Sequence, residues 1–216
     1  MKIVSVLRTG PEYQGKHAQF LHRQLKQFGP SVCLTDLPQI KGVDTLRLQH
    51  DPMGWWAKME LFNPDGPLAN DDLFYLDIDT KIVGDIRPLL ELVEGSHKMV
   101  MLSDFYHPQY AASGVMYIPK RIKERVWKYW IDRADWFVVR AKRPGRVGDQ
   151  GVIQEAVPDA LRWDQIAPGK IVSYKKHVIG PGDPHWARGL SVGNGTVPAD
   201  ASIICYHGKP RPWSLK

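Results

Sequence analysis

Within its first 34 residues the chain runs from an apolar stretch to an amphipathic one and back to an apolar one. Residues 2–7 (Lys-Ile-Val-Ser-Val-Leu) read as a buried strand. Phe20, Leu21, Leu25 and Phe28 share one face at helical spacing, and Gly29-Pro30 stops the helix they define. Residues 31–34 read as a second short strand. Strand, helix and strand in immediate succession point to a parallel α/β sheet.

The rest of the chain extends the pattern. Strands are expected over 43–48, 98–102, 114–118, 170–174 and 203–206, and helices over 54–62, 88–93, 120–139 and 149–157. The helix over 120–139 carries the clearest stripe: Ile122, Val126, Trp127, Trp130 and Ile131. Residues 178–200 are rich in Gly and Pro, and a loop that long in a compact domain is more often functional than idle. Size supports one domain over residues 1–216.

Leu73-Phe-Tyr-Leu-Asp-Ile-Asp79 is the chemically loaded strand. Its apolar start runs straight into Asp77 and Asp79. In an extended strand residues i and i+2 face the same way, so the two carboxylates converge and repel unless a cation lies between them. A divalent cation answers that need, and oxygen ligands favour Mg or Mn. The bland alternative is a pair of solvated acids at a strand end.

Composition narrows the partners. A net charge of +6 and a pI near 9.3 favour anionic ones: phosphorylated small molecules, nucleic acid or an anionic membrane surface. Cys33 and Cys205 both lie in apolar runs and form neither a disulfide framework nor a zinc pattern, so a reducing cytoplasm is expected. No run approaches the roughly 18 apolar residues of a membrane helix, and the early charges do not suit a signal peptide.

Thr9, Asp77, Asp79, Asp104 and His207 each fall at the end of an apolar strand. Open parallel sheets bind ligands at the carboxyl ends of their strands, which would gather these groups at one edge. His207 can add a nitrogen ligand to the metal of the two acids. His207-Gly-Lys-Pro-Arg-Pro-Trp213 also brings flexible Gly208 beside the cations Lys209 and Arg211, a credible clamp for a diphosphate. Against this stand a plain histidine at a strand end and an ordered basic tail.

Taken in order, these segments resemble the nucleotide-sugar glycosyltransferases of the GT-A type. They are most similar to family eight, the glycogenin and bacterial lipopolysaccharide galactosyltransferase group. Phe74 to Asp79 resembles the family's Asp-x-Asp strand, and Gly148-Asp-Gln-Gly-Val-Ile153 its Asp-Gln motif at the head of a helix. Ala112-Ser-Gly-Val-Met-Tyr-Ile118 resembles its Asn-x-Gly-Val strand, and the run from His207 to Trp213 its His-x-x-Gly-x-x-Lys-Pro-Trp ending. The loop from Thr9 to Gly15, with Tyr13, resembles its nucleotide loop. Ala112 stands where the family has Asn, leaving that sugar contact absent or to Ser113. The ending is two residues short, so Arg211 aligns with the family's Lys and Lys209 becomes a rival phosphate ligand.

The resemblance implies a mixed, mostly parallel, Rossmann-like sheet flanked by helices. It implies Asp77, Asp79 and His207 holding Mn²⁺ (or Mg²⁺), Tyr13 stacking on uracil, and Lys58 near the phosphates or sugar. Asp149 and Gln150 would face the transferred sugar. Helix capping is the plain reading of Asp149, and a solvated helix lysine that of Lys58. The implied activity is hexosyl transfer from a UDP-sugar with retention. The acceptor is open among glycan, lipid-linked, protein and small-molecule classes. An inverting enzyme would need a carboxylate base near the acceptor, and Asp104 could serve.

Two other classes compete. A metal-dependent nucleotidyltransferase would use the same acids, but Arg8-Thr-Gly10 is a poor version of its Gly-rich loop. A nucleic-acid-binding module is suggested by the charge and by Arg140-Ala-Lys-Arg-Pro-Gly-Arg146, yet no nucleic-acid motif accompanies it. The same basic stretch could rest peripherally on an anionic membrane.

Overall fold

The computed structural model describes residues 1–50, 54–140 and 148–215. Its first half runs β1 (Lys2–Leu7), α1 (Gly15–Leu25), β2 (Ser31–Thr35), β3 (Asp44–Arg47), a 3-10 helix (Gly54–Phe62), β4 (Leu73–Leu76), β5 (Thr80–Ile82) and α2 (Arg87–Val93). The second half runs β6 (Val100–Ser103), β7 (Ala111–Ile118), α3 (Lys123–Ile131), α4 (Ala134–Arg140), α5 (Gly148–Ala156), β8 (Leu161–Arg162), β9 (Ile171–Ser173) and β10 (Ile203–Cys205).

The main sheet has seven strands in the order β3-β2-β1-β4-β7-β6-β8. β3, β2, β1 and β4 are mutually parallel, and β6 is parallel to β8. β7 alone runs against its neighbours β4 and β6. The sheet is therefore mixed and mostly parallel, as expected. This direction sends the carboxyl ends of β1, β4 and β6, together with the start of β7, to one edge. A second sheet, β5-β10-β9, pairs the chain after β4 with its last strand. Cys205 of β10 thereby lies opposite Thr80 of β5, and the carboxyl end of β10 comes beside the turn that carries Asp79.

Alternation along the strands splits the core over the two faces of the main sheet. Val4, Leu34, Tyr75, Met101 and Met116 face the 3-10 helix, α3 and α5. Ile3, Phe74, Leu76, Val100, Val115 and Tyr117 face α1 and α2. β4 sits at the centre and is buried along its whole length. Each large apolar side chain there stabilises the fold by about 1.5–3 kcal/mol. That firmness continues into the turn carrying Asp77 and Asp79.

Several elements depart from expectation. The helix over 120–139 is not continuous: it breaks between α3 and α4, which lets Phe137 turn into the core while Ile131 stays 55% exposed. Lys123, on its polar side by sequence, is buried, because its ammonium donates to the carbonyls of Leu68 (2.5 Å) and Asp71 (2.7 Å). The segment over 54–62 winds as a 3-10 helix with every residue from Trp56 to Phe62 buried, including Lys58 and Glu60. β7 begins three residues before the expected strand over 114–118, at Ala111. β5 was not anticipated; three residues give no readable period. The stretch after Val178 forms no strand or helix until β10, as expected for a long loop. The basic run after Arg140 lies outside the described residues up to Gly148. Cys33 and Cys205 are buried and unpaired with each other. Among the described residues no helix is long and apolar enough to cross a membrane.

Candidate active site

β4 ends at Leu76, so Asp77 and Asp79 lie in a turn and not in an extended strand. Thr80 closes that turn by donating its N–H (3.1 Å) and its hydroxyl (2.6 Å) to the carbonyl of Asp77. The strand-period argument for convergence therefore does not apply. The two carboxylates are neighbours because the turn folds back, with Ile78 buried between them against Leu7, Cys33 and Ile40.

Asp77 belongs to a buried polar cluster. The Lys58 ammonium donates to Asp77 Oδ1 (3.0 Å), to Asp149 Oδ2 (3.1 Å) and to Ser113 Oγ (3.0 Å). Ser113 in turn donates to Asp149 Oδ2 at 2.5 Å. An ammonium has three N–H donors, and here all have acceptors. Burial works to lower the Lys58 ammonium, but Asp149 and then Asp77 outweigh it and hold it above its ordinary range. Tyr75, fully buried beneath, donates its hydroxyl to Asp77 Oδ1. Its own ionisation is pushed well up, first by burial and then by Asp77. Lys58 comes from the 3-10 helix, Ser113 from β7 and Asp149 from the first turn of α5. Gly148 permits that start: its φ is 59°, and a Cβ there would sit 2.8 Å from the Trp55 indole nitrogen.

Asp79 belongs to a second cluster. Its Oδ2 is ion-paired with Arg211 and accepts the Tyr13 hydroxyl at 3.3 Å. Arg211 also donates to Glu12 at 3.0 Å and lies 4.9 Å from the centre of the Tyr13 ring. Burial, and next the like charge of Asp77, push the Asp79 carboxyl up; Arg211 and Lys58 pull against them. Asp79 is thus a carboxylate short of positive charge. Tyr13 is shifted upward by burial and by Asp79.

Other expected site residues stand apart from these clusters. His207 follows Tyr206, whose N–H donates to the Asp79 carbonyl (3.2 Å), but its ring turns away. It stacks on Phe105 (5.6 Å between centroids), and its Nε2 is bonded to Ser173 Oγ at 2.6 Å. Burial, then Lys175, lower its pKa to about 4. Asp104 uses Oδ1 to accept the N–H groups of Tyr106 and His107, both at 2.9 Å, and so closes its own loop. Thr9 gives its N–H (2.9 Å) and its hydroxyl to Asp36 at the end of β2. Gly208 and Lys209 are exposed, Gly208 with a φ of 81°. Gln150 is half-buried on α5 beside Asp149. Among the described residues no group of three or more His, Cys, Asp and Glu side chains is placed to hold a metal ion.

Four participants were not anticipated: Tyr75, Asp36, Glu12 and Lys175. Tyr75 was readable: it precedes Asp77 by two positions, and because the Asp77 N–H still donates to the Gly114 carbonyl of β7 (2.9 Å) the two side chains share a face. Lys175 was not. Its pKa is lowered by burial and by Arg211, which puts it beside the C-terminal segment only in the folded chain.

The sheet order, its single antiparallel strand and the acids in the turn after β4 together define the GT-A glycosyltransferase fold. Solved structures agree with this chain in that fold. Galactosyltransferase LgtC, solved in complex with donor and acceptor sugar analogs, superposes with a TM-score of 0.60 at 14% identity, over 99% of this chain and 89% of that one. The apo form of the glycosyltransferase GlyE of Streptococcus pneumoniae TIGR4 gives 0.63 at 18% identity, and this chain spans 55% of its length. Mouse xyloside xylosyltransferase 1 gives 0.51 at 12% identity, over 97% and 98% of the two chains. No protein-family model and no curated protein matches the sequence.

Proposed function

We propose that this chain is a metal-dependent glycosyltransferase that moves a hexose from a UDP-sugar to a glycan or related acceptor. The observation that carries the reading is Lys58. It ties Asp77, beside which a donor's diphosphate would lie, to Asp149, beside which its sugar would lie, at the carboxyl edge of a GT-A sheet.

Charge supports a divalent cation. Asp77, Asp79 and Asp149 are three carboxylates against the two protein cations that pair with them, Lys58 and Arg211. A donor adds two further negative charges on its phosphates. Mg and Mn bind through one or two carboxylates and complete their shells with water and phosphate oxygens. Asp77 and Asp79 fit that requirement as a pair, without His207. Bound there, Mn²⁺ or Mg²⁺ would offset charge on the departing diphosphate.

The chain's own groups do the rest. Arg211, Lys175 and Lys209 lie on the segments nearest the phosphates and stabilise negative charge where it develops. Asp149, ion-paired with Lys58, would face the sugar carbon as it becomes cationic, with Gln150 flanking it. Tyr13 offers a ring to the base. Asp104 spends Oδ1 on its own loop, and the resemblance to family eight favours retention. A basic chain suits an acceptor at the inner face of an anionic membrane, where it would act peripherally.

The test is a screen of UDP- and GDP-sugars with Mn²⁺, scored by thermal stabilisation and by release of nucleoside diphosphate. Stabilisation by one UDP-sugar that EDTA abolishes is expected. Silence toward every donor, with and without Mn²⁺, would overturn the reading.

A further inference from the structure

We infer that Arg211 is an exchangeable cation: it occupies Asp79 in the ligand-free chain and passes to the donor's diphosphate when a divalent cation takes Asp79. The inference rests on the function proposed above and concerns how that site loads.

The C-terminal segment crosses the mouth of the acid pair as a strap held at both ends. At one end Tyr206 is bonded to the Asp79 carbonyl, and His207 is bonded to Ser173. At the other end Trp213 lies flat on His17, with centroids 4.0 Å apart and planes 6° from parallel, and meets Tyr13 and Phe20 edge-on. Just beyond Trp213, Ser214 stiffens the crossing, accepting the Arg211 N–H (3.0 Å) and donating to the Arg211 carbonyl (2.8 Å). The Arg211 side chain is left hanging from a fixed backbone into the site.

Its guanidinium rests on the two features a donor needs. It pairs with the Asp79 oxygen that also accepts Tyr13, and it covers the Tyr13 ring. A divalent cation and a guanidinium cannot share one carboxylate oxygen without strong repulsion. Without a donor, a metal on this carboxylate is therefore repelled until Arg211 moves off Asp79, and among the described residues that leaves the guanidinium its ion pair with Glu12, which is 59% exposed and a weak partner. With a donor present, the displaced guanidinium gains a diphosphate, the anion its planar fork matches best. Metal and donor then favour each other's binding, and linkage requires the effect to be reciprocal.

The experiment measures Mn²⁺ affinity by titration calorimetry and by loss of the free-ion paramagnetic resonance signal, without and with saturating UDP. Wild type should bind Mn²⁺ weakly alone and roughly 5–150-fold more tightly with UDP, the ordinary span of such couplings. Arg211→Ala should bind Mn²⁺ alone more tightly than wild type, by about tenfold, and UDP more weakly, collapsing the coupling. Glu12→Gln, a change at an exposed side chain, should shift Mn²⁺ affinity in the opposite direction by less, because Arg211 then has only Asp79 to hold. Unchanged or weaker Mn²⁺ binding by folded Arg211→Ala, in a protein whose wild type binds Mn²⁺ and UDP, overturns the exchange and leaves the donor site standing. Absence of Mn²⁺ and UDP binding in wild type, singly and together, overturns the donor site itself.

Discussion

Asp77 and Asp79 are two residues apart in one turn, yet they are held in different ways. Asp77 is gripped from below by Lys58 and Tyr75, both buried and both anchored in the main sheet and its packed helices. Asp79 is held from above by Arg211, a long side chain on a strap that belongs to no sheet. The grip on Asp77 cannot loosen without exposing or orphaning a buried charge. The grip on Asp79 can be traded for another cation at little cost. A donor site needs both kinds of hold, one to fix geometry and one to yield to ligand.

The largest effect that could break this contrast is at Lys58. Lys58→Met leaves buried Asp149 and half-buried Asp77 without their cation and should cost about 3–5 kcal/mol in urea unfolding. A loss under about 1 kcal/mol would mean that the lower grip is no more rigid than the upper. A second buried polar network, remote from the site, supplies a control. His22 is bonded to Ser5 and Ser31, both at 2.8 Å, and burial lowers its pKa to about 4 from the ordinary 6.5. The folded chain thus favours neutral His22. Its contribution is fully present above about pH 6.5 and lost as pH falls toward 4, up to about 3 kcal/mol. His22→Gln should flatten stability in that window; an unchanged acid slope would show that other groups set it. Tyr75→Phe removes a buried bond to a carboxylate and should cost about 2 kcal/mol, with donor affinity reduced because Asp77 is less well held. The smallest effect is expected at the strap: Arg211→Ala leaves the buried Asp79 carboxylate able to take up a proton in place of the guanidinium, and should lower stability by about 1–2 kcal/mol. A loss as large as that of Lys58→Met would erase the distinction between the two carboxylates.

Much of the frame was legible in the sequence. The strand-helix-strand opening, the apolar run into Asp77 and the helix headed by Asp149 all reappear, because alternation and helical spacing are local properties. Local rules misled where long-range packing overrode them. The amphipathic stripe over 120–139 predicted one helix, but the core drew Phe137 inward and broke it. Lys58 and Lys123 carry charges that sequence places on a surface; carboxylates and carbonyls from distant segments meet them inside. The Asp77–Asp79 convergence was anticipated for a reason that does not hold, since a turn and not a strand brings them together.

The candidate site divides along the same line. Residue type and strand-end position singled out Asp77, Asp79 and Arg211 as candidates, and the resemblance to family eight added Asp149, Ser113 and Tyr13. Which of them touch depends on partners more than thirty residues apart: Lys58 with Ser113, Asp79 with Arg211, His207 with Ser173 and not with the acids. A sequence shows what a side chain can bond to. Only the packed sheet, by bringing β4, β7 and α5 together and laying the C-terminal segment across them, decides which bond is made.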